Sequence, residues 1–153
     1  VRGVAADKNT ARISVLGVKD EPGIAFRVFD YLSAKNINVD IILQSVGRDG
    51  TKDISFTVSR EDLKEALHTI HENMDSITAK GVEYEENVAK VSIIGAGMTS
   101  NPGVAAKMFE ALYSAGINIK MISTSEIRIT VLIDEADVNG AMRSVHDAFG
   151  LGN

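Results

Sequence analysis

The chain has 153 residues, a formal net charge of -5 with its Lys and Arg residues dispersed, and no cysteine. Dispersed basic residues argue against nucleic acid, whose phosphates need a concentrated positive surface, and the lack of cysteine excludes disulfides and thiolate metal sites. The sequence has no apolar run of about 18 residues and no charged start followed by an apolar stretch, so we expect a cytoplasmic protein with neither a membrane span nor a signal peptide.

The first half of the chain predicts a β-α-β-β-α-β series, preceded by a strand-like piece at Val1 to Ala6. Apolar residues alternate in the strands and recur at i, i+3, i+4 and i+7 in the helices. The predicted elements are a strand at Ala11 to Val18, a helix with Ala25, Val28, Phe29 and Leu32 on one face, strands at Val39 to Gln44 and Ile54 to Val58 joined by the turn Gly47 to Gly50, a helix with Leu63, Ala66, Leu67 and Ile70, and a weaker strand at Val82 to Glu85.

The second half repeats this order. Its elements are a strand at Ala89 to Ala96, a helix with Ala105, Met108, Phe109 and Leu112, strands at Ile119 to Ser123 and Ile127 to Ile133, and a helix with Val138, Ala141, Met142 and Val145. A Pro-Gly pair precedes the first helix of each copy, at Pro22-Gly23 and Pro102-Gly103. The repeat predicts an α+β fold of two ferredoxin-like units, each an antiparallel sheet with both helices on one face.

The second copy lacks its closing strand. After its last helix, which ends near Phe149, the remaining residues 150–153 are too few to cross a sheet. The unassigned segment Val1 to Ala6 can supply this strand, which makes copy one an insertion within copy two. We therefore predict one domain at residues 10–86 and a second formed by residues 1–9 plus 87–153.

Catalytic and metal chemistry find little support in the sequence. His68 and His71 could form an i, i+3 metal pair, but no third ligand is in register, and packing at the helix flank explains them as well. Gly95-Ala96-Gly97 lacks the lysine of a phosphate loop and suits a tight turn. We find no arrangement of Ser, His and Asp suited to nucleophilic catalysis, so we predict no catalytic residue, no metal ion and no cofactor.

The turn Lys19-Asp20-Glu21-Pro22-Gly23 is the most informative feature of the sequence. The first N-H groups of a helix lack intrahelical acceptors, and the helix dipole attracts an anion such as a carboxylate. Asp20, beside this helix start, could bind an ammonium group, so that the turn would hold both ends of an amino acid. Alternatively, Asp20 caps the helix and Pro22 begins it, as in many helices.

The repeat, the KDEPG turn, the VDIILQSV strand, IIGAGMTSNPGVAAKMFEAL and GINIKMISTSEIRITVLI carry a family resemblance. Over essentially its whole length the chain resembles the tandem ACT domains of aspartate kinase, βαββαβ modules that bind amino acids and regulate metabolic enzymes. The family's kinase domain, with its Lys-Phe-Gly-Gly-Thr-Ser signature, has no counterpart in this sequence. The resemblance therefore implies a regulatory β subunit or excised regulatory domain, which does not itself transfer phosphate from ATP to aspartate.

The resemblance also implies an effector site at the first helix entrance. Its residues are Asp20, Gly23, Ile24, Ala25 and Gln44, completed by Asn118 and Ile119 from the second ACT unit of a partner chain. In this interpretation Asp20 binds the ammonium, backbone amides near Gly23 bind the carboxylate, and Gln44 recognises a polar side chain. Asn118 is equally well explained as a turn residue.

Pseudo-symmetry predicts a second, related site. It comprises Met98, Gly103, Val104 and Ala105, facing Asn38 and Val39, with Ser125 and Glu126 nearby. Because Met98-Thr99-Ser100-Asn101 replaces the acidic turn, this site has no obvious ammonium partner and binds a different effector or none. Glu126 either supplies the missing charge or is an exposed residue at a strand edge.

These residues suggest a sensor of threonine and/or lysine that mediates feedback inhibition. The expected partners are the amino-acid effector, a second copy of the chain through ACT-ACT pairing, and a catalytic aspartate kinase subunit. The alternative is an ACT-type dimerisation module of another amino-acid metabolic enzyme, with no ligand of its own.

Overall fold

The computed structural model describes residues 1–47 and 49–151. The chain forms two compact units, each described by itself below. The inserted unit is Asn9–Glu86, and the outer unit combines Val1–Lys8 with the chain from Asn87 onward. The first strand, β1 at Gly3–Asp7, belongs to the outer unit, so the chain leaves this unit, forms the inserted unit and returns.

Each unit contains one sheet and two helices. The inserted unit contains β2 (Ala11–Lys19), α1 (Ile24–Ala34), β3 (Ile42–Gln44), β4 (Thr51–Val58), α2 (Leu63–Glu72) and β5 (Gly81–Glu85). The outer unit contains, besides β1, the elements β6 (Val88–Ile94), α3 (Pro102–Ser114), β7 (Met121–Thr124), β8 (Arg128–Asp134) and α4 (Val138–Ala148). A short 3-10 turn leads into α2 and another into α4.

The strand order confirms the predicted insertion. The inserted unit has the order β3-β4-β2-β5 and the outer unit β1-β6-β8-β7, with every neighbouring pair antiparallel. β1 pairs with β6 along its length, with Val4 opposite Ile93, and so occupies the sheet edge that β5 occupies in the inserted unit. The N-terminal strand thus closes the second βαββαβ unit, as strand counting predicted.

The core of each unit lies between one face of its sheet and both helices. In the inserted unit Ile13 and Val15 of β2 are fully buried and share a core with Val28 of α1 and Ile70 of α2. Helix and strand periodicities both bring their apolar residues to this layer. Because α1 and α2 contribute to the same core, both helices cover the same sheet face, and the outer unit is built alike from α3 and α4.

The opposite sheet faces carry paired polar groups. The hydroxyls of Ser14 and Ser55 lie 2.7 Å apart in the inserted unit, and those of Ser92 and Thr130 lie 2.7 Å apart at the corresponding place in the outer unit. Each pair satisfies two hydroxyl groups that are largely removed from water. The repeat therefore extends beyond the apolar framework to specific hydrogen bonds.

The largest differences from the predicted strand boundaries are at the starts of β3 and β4. β3 begins at Ile42 and not at Val39, because the amide of Ile41 donates to the side-chain hydroxyl of Thr57 at 3.0 Å instead of joining a regular ladder. β4 begins earlier than predicted, at Thr51, because its first residues pair with the end of β2 beyond an irregularity in register. The predicted turn Gly47 to Gly50 includes position 48, which lies outside the described residues.

Candidate functional site

The turn between β2 and α1 is held on two sides. The amide of Asp20 donates to the carbonyl of Gly50 at 2.8 Å, and the amide of Lys19 donates to the Thr78 hydroxyl at 2.9 Å. Gly23 then enters α1 with a φ of 91°, in the left-handed region that glycine adopts without strain. These bonds fix where the chain enters the helix, and therefore where the first helical amides point.

The N-terminus of α1 has backbone N-H groups that are available to bind a ligand. Its N-cap is Gly23, and among the described residues no side chain caps the helix and no acidic side chain lies in its first turn. Ile24 and Arg27 donate to the carbonyls of Glu21 and Gly23, which leaves the amides of Ala25 and Phe26 without a backbone acceptor in the described part of the chain. The helix start can therefore hold an anion.

Asp20 does not cap α1, so the capping alternative for this residue is wrong. Its carboxylate lies 3.4 Å from the ammonium of Lys52, with 57% of the Asp20 side chain and only 14% of the Lys52 side chain exposed. A direct charge-assisted hydrogen bond measures about 2.7 to 2.9 Å, so this ion pair is loose. The carboxylate therefore remains accessible to an incoming cation.

The strand register places Lys52 and Gln44 on the helix-covered face of the sheet. Lys52 lies opposite the buried Val18, and Gln44, the exposed last residue of β3, lies opposite the buried Ile54. Residues related diagonally across two strands, as Gln44 and Lys52 are, lie about 7 to 8 Å apart. An acid, a lysine, a primary amide and uncapped helix amides therefore gather at one end of the inserted unit.

Five of the seven residues predicted for the first site lie in the inserted unit. These are Asp20, Gly23, Ile24, Ala25 and Gln44, all in the inserted unit. The Ile24 side chain is 2% exposed and packs in the core, so only its backbone can face a ligand. The other two, Asn118 and Ile119, lie between α3 and β7 of the outer unit, with Asn118 exposed and Ile119 packed against that unit's core.

The residues predicted for the second site are divided between the units. Met98, which is 4% exposed, belongs to the core of the outer unit, and Val104 and Ala105 pack against this core. Gly103 lies in the first turn of α3, which also lacks a side-chain cap in the described chain. Asn38 and Val39 lie between α1 and β3 of the inserted unit.

Glu126 and Ser125 stabilise the loop before β8. The carboxylate of Glu126 accepts a hydrogen bond from the Thr99 hydroxyl at 2.9 Å, and the amide of Ser125 donates to the Arg128 carbonyl at 2.8 Å. Glu126 is therefore bonded to the loop that replaces the acidic turn, in addition to lying near a strand edge.

The two helix entrances differ in charge. Ile54 of β4 lies opposite Val15, and Ile129 of β8 lies opposite Ile93, so these two positions correspond. Counting back along each strand from them, the position of Lys52 is taken by Ile127 in the outer unit. Counting back from the Pro-Gly pair, the position of Asp20 is taken by Ser100. The ion pair belongs to the inserted unit alone.

Lys52 is absent from the sites predicted from sequence, although the sequence holds a signal for it. Ile54, Phe56 and Val58 alternate as the buried residues of β4, with exposures of 0%, 0% and 3%. Extending this period toward the strand start places Lys52 in the buried phase. A lysine in phase with core residues at a strand end is a recognisable mark of a paired or functional charge.

Other features raised by the sequence have ordinary structural roles. His68 pairs with Glu72 at 3.1 Å, and the Nδ1 atom of His71 lies 2.8 Å from the carbonyl oxygen of Leu67. Gly97, with a φ of 67°, forms a tight turn closed by Ser100. Within residues 1–47 and 49–151, no group of three or more His, Cys, Asp or Glu is placed to hold a metal ion, and no helix is long and apolar enough to cross a bilayer.

A protein-family model matches both halves of the chain. This model, described as the ACT domain, matches residues 13–74 and 91–149. The aspartokinase of Helicobacter pylori is 49% identical over 99% of the chain, which corresponds to 37% of that protein. The chain therefore spans little more than a third of the length of this curated relative.

Two solved structures match the chain over nearly its whole length. A chain in the crystal structure of aspartokinase alpha and beta subunits has a TM-score of 0.93 and 50% identity, with 99% of both chains covered. The ligand-free regulatory subunit of aspartate kinase from Thermus thermophilus has a TM-score of 0.93 and 42% identity, with 97% of this chain and 98% of that chain covered. The chain therefore belongs to the ACT domain family and, within it, to the regulatory subunits and regulatory regions of aspartate kinases.

Proposed function

We propose that this chain senses an amino acid, threonine and/or lysine, and regulates an aspartate kinase by feedback inhibition. One observation carries the proposal: the uncapped N-terminus of α1 lies beside the half-exposed carboxylate of Asp20. These groups have opposite electrostatic character and suit the two ends of an α-amino acid, the carboxylate and the ammonium. Their place in an ACT unit supports an effector site rather than a catalytic one.

Each part of the ligand has a proposed partner. The ammonium binds Asp20, the carboxylate binds backbone amides between Gly23 and Phe26, and Gln44 hydrogen-bonds a polar side chain. Asn118 and Ile119 of a second chain complete the site in this proposal. The second set of residues, around Gly103 and Glu126, binds a different effector or none, because it has no counterpart of the Asp20 carboxylate at its helix start.

Pairing of two chains is supported by the sheet edges. β3 and β7 each lie at an edge and carry exposed apolar side chains, Ile42 and Leu43 on β3 and Ile122 on β7. An uncovered edge strand offers unpaired backbone groups to another strand. We infer that these edges pair between ACT units of two chains and that the effector binds where the units meet.

The effector would act on a kinase through the geometry of this dimer. A solved relative contains aspartokinase alpha and beta subunits, which supports a catalytic subunit as the partner of this chain. The partner would phosphorylate aspartate from ATP in the cytoplasm. An effector that favours one dimer geometry shifts the kinase by its differential affinity for the two states, typically about 1 to 3 kcal/mol.

Calorimetric titration tests this function. Threonine, lysine, methionine and isoleucine are titrated separately into the chain, and thermal unfolding is recorded with each. We expect binding heat and a raised unfolding temperature with threonine or lysine. An absence of heat and of thermal shift with all four amino acids would contradict the sensor function and leave a pairing module without a ligand.

A further inference from the structure

We propose that Lys52 is a specificity residue of the inserted unit's amino-acid site. When the ligand binds, the ammonium of Lys52 leaves the carboxylate of Asp20 and pairs with the carboxylate of the ligand. The inference rests on the proposed amino-acid-sensing function and adds to it a residue and a selectivity rule. In the ligand-free unit Lys52 and Asp20 neutralise each other. In the bound unit the ligand's ammonium lies on Asp20, and its carboxylate lies on Lys52 and the first amides of α1.

The position of Lys52 is unusual for a lysine. It lies opposite the fully buried Val18, on the sheet face that α1 and α2 cover, and only 14% of its side chain is exposed. Its ammonium forms an ion pair with the carboxylate of Asp20, at 3.4 Å. An enclosed ammonium requires an anionic neighbour, because a charge removed from water without a partner is costly.

The unequal exposure of the two charges determines which end of a ligand matters more. Asp20, with 57% of its side chain exposed, can be solvated by water when Lys52 leaves it. Lys52, with 14% of its side chain exposed, has much less access to water. A ligand with an ammonium but no carboxylate would bind Asp20 and leave Lys52 without an anion. A zwitterion also binds Asp20, but its own carboxylate then neutralises Lys52. Because of Lys52, the site therefore binds tightly only ligands that carry a free α-carboxylate.

The N-terminus of α1 also favours a ligand with a carboxylate. The amides of Ala25 and Phe26 have no backbone acceptor among the described residues and point toward the space before α1. A carboxylate can accept from them and from Lys52 together, since it has two oxygens. The outer unit has Ile127 and Ser100 at the positions of Lys52 and Asp20, so the rule applies to the inserted unit alone.

The test compares an amino acid with its α-amide, which keeps the ammonium and removes the carboxylate charge. Whichever of L-threonine and L-lysine binds the wild-type chain more tightly is titrated, together with L-threoninamide or L-lysinamide. We expect the wild type to bind the amide at least roughly a hundredfold more weakly than the acid, and Lys52→Met to reduce this ratio by at least about tenfold. In Lys52→Met the acid weakens and the amide does not, because no lysine competes with its ammonium.

Two variants control for charge and folding. Lys64→Met removes an exposed lysine of α2 and should leave the acid-to-amide ratio as in the wild type. Lys52→Arg keeps the positive charge and should keep most of the ratio. If Lys52→Met fails to fold, as judged by thermal unfolding, Lys52→Gln carries the same test with an uncharged side chain of similar length.

The outcomes separate the two proposals. If the wild type binds neither amino acid, the sensor function fails and this inference fails with it. If the wild type binds, Asp20→Ala weakens binding, and yet the acid-to-amide ratio is unchanged in the folded Lys52 variant, the inference about Lys52 is wrong while the sensor function stands. A ratio reduced in Lys52→Met and retained in Lys64→Met supports the exchange of partners.

Discussion

Replacing Asp20 by alanine separates ligand binding from folding. The Asp20 side chain is 57% exposed and its ion pair with Lys52 is loose at 3.4 Å. An ion pair between two exposed side chains contributes about 0 to 1 kcal/mol to stability, but the ammonium of Lys52 is enclosed and loses its anionic neighbour in this variant. We therefore expect the free energy of unfolding of Asp20→Ala to fall by about 1 to 3 kcal/mol, with the chain still folded because the turn is also held by the backbone bond from residue 20 to Gly50.

Ligand binding should also weaken. A hydrogen bond to a charged group contributes about 1.5 to 3 kcal/mol, so losing the carboxylate that holds the ammonium should raise the Kd by about 10- to 150-fold. The Kd for L-threonine is measured by calorimetry, and urea unfolding reports stability. Asp30→Ala, which removes an exposed acid from α1, is the matched control and should leave the Kd unchanged. A folded Asp20→Ala chain with wild-type affinity would refute the role of Asp20.

Further predictions concern the fold that positions the site. Gly23→Ala should cost roughly 1 to 2 kcal/mol in urea unfolding, because residue 23 has a φ of 91°, whereas Gly103→Ala, at a helical position with no close contact, should cost nothing. Phe56→Ala removes a fully buried ring that meets Phe29 edge-on at 5.5 Å between centroids, and should cost about 3 to 5 kcal/mol, while Tyr84→Ala, at an exposed ring, should cost far less. Deleting residues 1–7 removes β1 and should speed hydrogen exchange in β6 without affecting β2; equal exchange in intact and shortened chains would contradict the pairing of β1 with β6.

Local patterns were sufficient to predict the framework of both units. Period-two alternation identified β2 and β6, and period 3.6 identified all four helices, because each element has one buried face. The insertion was predicted because the second copy lacks a closing strand and the strand-like segment Val1 to Ala6 had no assigned partner. The start of β3 could not be predicted in this way, since it depends on the Thr57 hydroxyl of a neighbouring strand.

The candidate site was predictable only in part. The Pro-Gly turn and the family resemblance pointed to Asp20 and Gln44, and the structure places both at one end of the inserted unit. The alternation of β4 places Lys52 in phase with buried residues, but its neighbour on β2 depends on a register shift between Val15 and Val18, which sets Val18 opposite it. Glycine at position 17, with a φ of 66°, permits this irregularity, and no periodic pattern reports it. The contribution of Asn118 stays a prediction, because it concerns a second chain.

A crystal structure of the chain grown with L-threonine or L-lysine tests the central proposal most directly. We expect the amino acid at the entrance of α1, with its ammonium within hydrogen-bonding distance of Asp20, its carboxylate on the amides of the first helical turn, and Lys52 moved from Asp20 to that carboxylate. An amino acid that binds in calorimetry but lies elsewhere in the crystal, with the Asp20–Lys52 pair intact, would contradict it.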